Sequence, residues 1–134
     1  MSAINAHVNM LYKCRQMILL MNIHLNHFPR HEKYGLCQQI REAAYDIYGL
    51  MIEGHRKYHN KTVLTHLDVR HEQLRMFVNL AFEMGYYDYK DHKRDRSSTE
   101  AQRRYTALSI QVNELGAMIG GWIRSVKTAD GVLA

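Results

Sequence analysis

Between Tyr105 and Val126 the residues Tyr105, Leu108, Val112, Leu115, Ile119, Trp122 and Val126 follow one another at steps of 3, 4, 3, 4, 3 and 4. Such a seven-residue repeat suits a long helix whose apolar seam faces other helices. A strand would show alternation with a period of two. The spacing predicts a helix over 105–127. Gly116, Gly120 and Gly121 lie beside this seam, and glycine in a helix interior costs roughly 1 kcal/mol against alanine. The use expected for them is close approach of another backbone, with Trp122 at the same level beside the gap.

Three more seams precede this one. Leu11, Cys14, Ile18, Met21, Leu25 and Phe28 predict a first helix from Ile4 to Phe28, ended by Pro29, which disfavours a helical residue before it. Leu36, Ile40, Ala43, Ile47 and Leu50 predict a second, beginning between Arg30 and Leu36 and running to Tyr58. Leu64, Leu67, His71, Leu74, Val78 and Ala81 predict a third over 63–84, with Gly85 as its stop and residues 60–62 as the preceding turn. Residues 86–98 carry charges of both signs and are expected to form a mobile polar loop. Ser97 and Glu100, three apart, have the spacing of a capping box opening the last helix. Residues 128–134 are expected to be a loose tail.

Four helices with one repeat and short connections predict an all-α, antiparallel, up-down-up-down four-helix bundle. A chain of 134 residues is the length of one domain. A monomeric bundle needs one apolar stripe per helix, yet the second helix adds Tyr45, Tyr48 and Ile52, and the third adds Phe77, Leu80 and Met84. These extra rows are expected to be covered by another copy of the chain, with Tyr45, Tyr48, Ile52, Phe77 and Leu80 in the contact.

The composition narrows the chemistry. A single proline and 46% hydrophobic residues fit a folded helical chain. Cys14 and Cys37 are too few for a disulfide framework and are expected to be buried thiols in a reducing, cytoplasmic setting. No run of about 18 apolar residues is present, so no membrane span is expected, and the beginning of the chain lacks the layout of a signal peptide. Nine histidines raise the question of a metal. His24, His27 and His31, and likewise His55 and His59, have helical spacing, but Pro29 interrupts the first set and no carboxylate completes the second. No metal and no cofactor are expected. His71, on the third seam, is expected to be a satisfied core or interface histidine. No serine or cysteine lies in a nucleophile context, so an enzyme is not expected.

Basic residues beside the seams are the remaining signal: Arg41 after Ile40, Arg75 after Leu74, Arg70 before His71, Arg124 and Lys127 at the end of the last helix, and Arg103 and Arg104 at its beginning. Such cations can snorkel and pair with neighbouring carboxylates. Pooled in a symmetric ring, they can instead form a positive belt for phosphates. A net charge of +5 permits a polyanionic partner.

Two stretches bring a resemblance. Phe28-Pro29-Arg30-His31-Glu32-Lys33-Tyr34-Gly35-Leu36, followed by Gln39-Ile40-Arg41-Glu42-Ala43-Ala44, resembles the junction of helices 1 and 2 in a family of small four-helix-bundle proteins. That family includes proteins encoded in intervening sequences of bacterial ribosomal RNA genes and the accessory variability determinant of diversity-generating retroelements. Leu115-Gly116-Ala117-Met118-Ile119-Gly120-Gly121-Trp122-Ile123-Arg124-Ser125 is similar to the closing helix of the accessory variability determinant. Arg75, within Leu74-Arg75-Met76-Phe77, falls where that family carries a basic residue. One turn later this chain has Asn79, where some relatives carry a second one.

The resemblance implies a homopentameric ring with a positive surface that binds RNA and DNA with little sequence preference. It also implies partnership with a retroelement reverse transcriptase whose template-primed, adenine-mutating complementary-DNA synthesis needs the accessory protein. Arg75, Arg41, Arg70, Arg124 and Lys127 are then expected to contact phosphates. The competing expectation is a structural bundle of the intervening-sequence type that acts through protein partners, without nucleic acid.

Overall fold

The computed structural model describes residues 3–133. Four helices dominate it: α1 (Ala3–Leu25), α2 (Leu36–Arg56), α3 (Lys61–Glu83) and α4 (Ala101–Leu133). Each packs against two others, α1 and α3 both lying between α2 and α4. Neighbours run antiparallel. Asn22 of α1 meets Tyr45 of α2 while Arg15 meets Tyr48. Asp46 of α2 pairs with Arg70 of α3. Asn79 of α3 meets Tyr105 of α4 while His71 meets Val112. The all-α bundle predicted from the seams is the observed fold.

The seams form its core. Leu108, Val112, Leu115 and Ile119 of α4 are buried, as are Leu36, Ile40, Ala43 and Ile47 of α2 and Leu64, Leu67, Leu74, Val78 and Ala81 of α3. Each large aliphatic side chain so removed from water contributes about 2 kcal/mol. α1 departs from expectation. Its buried row includes Met10 and Met17, whereas Leu11 and Ile18 sit at the edge of the core. Cys14 and Cys37 are free and buried; burial pushes the Cys14 thiol up to about 12 and the Cys37 thiol up as well. No helix among the described residues is long and apolar enough to cross a membrane.

Helix ends differ from expectation for local reasons. α1 stops at Leu25, and its last turn tightens: the amides of His27 and Phe28 donate to the carbonyls three residues back, at 3.0 and 3.2 Å. Phe28 thereby turns into the core outside the helix. Glu32 starts α2 from a distance, its Oε1 accepting the Leu36 amide at 3.1 Å and its Oε2 the Tyr86 hydroxyl at 2.5 Å. The Tyr86 bond, more than the Leu36 amide, holds the Glu32 carboxyl below its usual range. Gly85 ends α3 with φ +78°, as expected of a glycine stop.

Residues 86–98 are not a free loop. Tyr86 and Tyr87 are buried, and β1 (Tyr89–Lys90) pairs antiparallel with β2 (Lys93–Arg94) in a small hairpin. Asp91 and His92 have φ of 50° and 71°, the two positive values that a tight primed hairpin turn requires. The tip docks on the end of α1. The His92 amide donates to the His27 carbonyl at 3.1 Å, the His92 ring bonds the Phe28 carbonyl at 2.8 Å, and the Asp91 amide donates to His27 Nδ1 at 3.1 Å. The capping box also shifts. Ser97 bonds Asp95, and it is Ser98 Oγ that accepts the Glu100 amide just before α4. At the other end α4 continues to Leu133, so residues 128–133 are helical where a loose tail was expected; residue 134 lies outside the described residues.

Candidate nucleic-acid interface

The glycines of α4 position side chains rather than a second backbone. A Cβ on Gly116 would stand 2.5 Å from His71 Cε1, so this glycine admits the His71 ring. The ring is buried and its Nε2 donates to the Val112 carbonyl at 2.8 Å, which makes it the satisfied core histidine expected. Over Gly120 and Gly121, among the described residues, lies only the Arg124 guanidinium, at 3.3 and 3.9 Å from where their Cβ atoms would be. The gap beside Trp122 belongs to the facing helix: a Cβ on Gly54 would meet Trp122 Cη2 at 2.7 Å.

The five cations expected to contact phosphates fall on separate flanks. Arg41 lies between α1 and α2, its Nε donating to Asn22 Oδ1 at 2.9 Å and its Nη2 to Asn26 Oδ1 at 3.1 Å. Arg70 spans α2 and α3 through its pair with Asp46 at 2.8 Å. Arg75, on the α3–α4 side, is paired with Glu72 at 2.5 Å, which lowers the Glu72 carboxyl and raises the Arg75 guanidinium. Arg124 and Lys127 are exposed near the end of α4, without a carboxylate partner among the described residues. One chain does not bring these five together, and two of them are already held by carboxylates.

A different set does converge. At the end of the bundle where α1 turns into α2, Arg30, Lys33 and Arg41 line one cavity with His92 of the hairpin. Lys90, Arg103 and Arg104 line the next, and Phe28 forms a wall of both. Across the hairpin Lys90 stands opposite Lys93. Residues 30–42 and 88–104 together carry nine Lys and Arg against six Asp and Glu. The sequence shows these charges, but it does not show that the hairpin folds back to carry its own to the α1–α2 junction.

The expected contact rows divide in the same way. Tyr45, Tyr48 and Ile52 face the α1 side, where Asn22 Nδ2 donates to the Tyr45 hydroxyl at 3.3 Å and Arg15 Nη1 to the Tyr48 hydroxyl at 3.2 Å. Phe77 and Leu80 belong to α3, beyond the opposite flank of α2 that the Asp46–Arg70 pair marks. Tyr45, Ile52 and Leu80 are exposed, whereas Tyr48 and Phe77 are half-buried against the core. The larger exposed apolar row is on α1. Val8, Tyr12, Leu19 and Ile23, spaced 4, 7 and 4, are each more than half exposed and point away from its buried row. That spacing was legible in the sequence, hidden by the more regular seam beside it.

The histidines form no metal cage: no three His, Cys, Asp or Glu side chains converge among the described residues. His55 does not pair with His59. It stacks on Trp122 at 4.1 Å and lies against His7 at 3.4 Å between ring centroids. Burial, and then the neighbouring His7, push His55 down to about 4.

A comparison with curated proteins finds no match. A family model described as bAvd-like matches residues 10–126, from the buried Met10 of α1 to the Val126 that closes the α4 seam. This span takes in α2, α3, most of α1 and α4, the hairpin and both cation-lined cavities. The chain belongs to the bAvd-like family, that of the accessory variability determinants.

Proposed function

We propose that this chain is a non-enzymatic, cytoplasmic accessory subunit that binds RNA and DNA through phosphates and partners a retroelement reverse transcriptase in mutagenic complementary-DNA synthesis. The observation that carries the binding is the convergence of Arg30, Lys33, Arg41, Lys90, Arg103 and Arg104 around two adjoining cavities at one end of the bundle. Phosphate contacts of this kind read no sequence and weaken as salt displaces them. Arg124 and Lys127 supply a second, more exposed pair. Arg70, Arg75 and Arg103 contribute less, because each would have to leave a carboxylate first: Asp46, Glu72 and Glu100 respectively. The family membership supports the partnership with the transcriptase.

Charge reversal at three surface positions, Lys33→Glu, Lys90→Glu and Arg103→Glu, tests this reading. The triple variant keeps the helical fold and loses at least about tenfold in affinity for single-stranded RNA. Its salt slope becomes shallower by about 2, at roughly 0.7 for each phosphate that is no longer neutralised. Unchanged affinity would remove this end of the bundle from the interface.

The exposed row on α1 supports assembly of copies into a ring, which we read as the homopentamer. An apolar stripe on the side of a helix opposite its core row needs cover. Leu19→Asp with Ile23→Asp yields a monomer by analytical ultracentrifugation, with the helical signal intact. An unchanged mass in that variant would place the contact elsewhere, on the rows of α2 and α3.

A further inference from the structure

The cavity at the junction of α1 and α2 lies beside an aromatic ring that the core does not use. It holds about 500 Å³, with Arg30, Lys33 and Arg41 among its lining residues. Arg41 is half-buried and fixed from α1, its Nε donating to Asn22 Oδ1 at 2.9 Å and its Nη2 to Asn26 Oδ1 at 3.1 Å. Both partners are neutral amides, so the guanidinium is held in place with its charge uncancelled. Its Nη1 has no partner among the described residues. Arg30 and Lys33 are exposed and also without a carboxylate partner among them. Glu32, which stands between them in the sequence, is engaged elsewhere, with the Leu36 amide and the Tyr86 hydroxyl.

Tyr34 is the unexpected member. Its side chain belongs to neither helix seam, and the residue is 79% exposed. Lys33 Nζ stands 5.4 Å from the centre of its ring, so Lys33 joins the ring to the cavity. Exposure of that size leaves a ring face open beyond the one lysine. A lone tyrosine on a surface is ordinary. A tyrosine set beside three cations that no carboxylate neutralises is the combination that grips a single strand, in which cations take phosphates and a ring face stacks a base. A duplex keeps its bases stacked on one another and offers the ring no free base.

We propose that Tyr34 is a stacking platform for one unpaired base of a single strand, whose neighbouring phosphate lies at Arg30, Lys33 and Arg41. The inference rests on the nucleic-acid reading above. It adds a contact that charge alone does not supply, and one that a paired base cannot make.

The test is anisotropy of labelled single-stranded RNA and of labelled duplex RNA, each titrated with the full chain, with Tyr34→Ala and with Tyr34→Phe at several salt concentrations. Tyr34 is exposed, so both variants keep the fold. Tyr34→Ala is expected to bind the single strand about tenfold more weakly, and Tyr34→Phe, which keeps the ring, to stay within about twofold of the unaltered protein. The salt slope stays unchanged, because no cation is removed. Duplex affinity stays unchanged as well. Three results would overturn the proposal: single-strand affinity unaltered in Tyr34→Ala, an equal loss on the duplex, or a shallower salt slope, which would mean that the ring steadies Lys33 rather than a base. RNA binding that survives Tyr34→Ala removes this inference and leaves the proposed function standing. Absence of RNA binding by the unaltered protein removes both.

Discussion

Gly116→Ala lowers the stability of this protein by about 2–4 kcal/mol, although alanine is the better helix former by about 1 kcal/mol. The added Cβ would lie 2.5 Å from His71 Cε1, well inside contact distance. The His71 ring cannot simply swing aside, because it is buried and bonded through Nε2 to the Val112 carbonyl at 2.8 Å. Moving it breaks that bond and leaves the His71 ring nitrogen in the core without a partner, while the Val112 carbonyl keeps its bond within α4. Urea unfolding measures the loss. The same substitution in a His71→Ala background supplies the control. With no ring to displace, Gly116→Ala becomes neutral or stabilising there, and the change of sign isolates the contact. Stabilisation by Gly116→Ala in the otherwise unaltered protein would mean that the glycine serves no ring.

Acid weakens the fold through His24. In the unfolded chain this ring takes up a proton below its ordinary value of 6.5, whereas in the folded chain burial, Arg104 and His27 push it down to about 4. The unfolded state therefore binds more protons in that window, and stability falls as pH falls. The contribution is fully present above pH 6.5, is lost between 6.5 and about 4, and levels off below. At about 1.4 kcal/mol per unit the shift amounts to roughly 3 kcal/mol. Unfolding free energies of the protein and of His24→Leu, measured from about pH 7 to about pH 4.5, separate this group from every other. The unaltered protein should lose stability more steeply than the variant. Parallel curves would show that His24 is not held neutral by its surroundings.

The helices were legible because their seams keep the steps of 3 and 4 through Leu64, Leu67, His71, Leu74, Val78 and Ala81 and through the α4 row, whose middle residues Leu108, Val112, Leu115 and Ile119 are buried and whose Tyr105, Trp122 and Val126 are half-buried against the core. In α1 two apolar rows compete. Leu11 and Ile18 complete a regular seam on paper, but Met10 and Met17 fill the core, and Val8, Tyr12, Leu19 and Ile23 are left outside. Periodicity alone cannot rank rows that are both apolar.

The hairpin was less legible. Its turn uses Asp91 and His92 at positive φ rather than glycine, and its strands are two residues long. What holds it is the burial of Tyr86 and Tyr87 and the bonds from its tip to His27 and Phe28, which are long-range facts. The cations were legible as residues and not as a site. The Glu72–Arg75 pair follows from a spacing of three on one helix. The Asp46–Arg70 pair crosses two helices and follows only from the fold. The grouping of Arg104 with Lys90 likewise needs the hairpin in place.

The central claim is that this bundle binds nucleic acid through its charge. The most direct measurement is anisotropy of a labelled single-stranded RNA titrated with the protein at several salt concentrations. The account predicts binding at micromolar concentrations or tighter, with log affinity falling linearly in log salt at about 0.7 per contacted phosphate. Absence of binding at low salt would contradict it: the net charge of +5 would serve solubility alone, and the chain would be a scaffold recognised by protein partners.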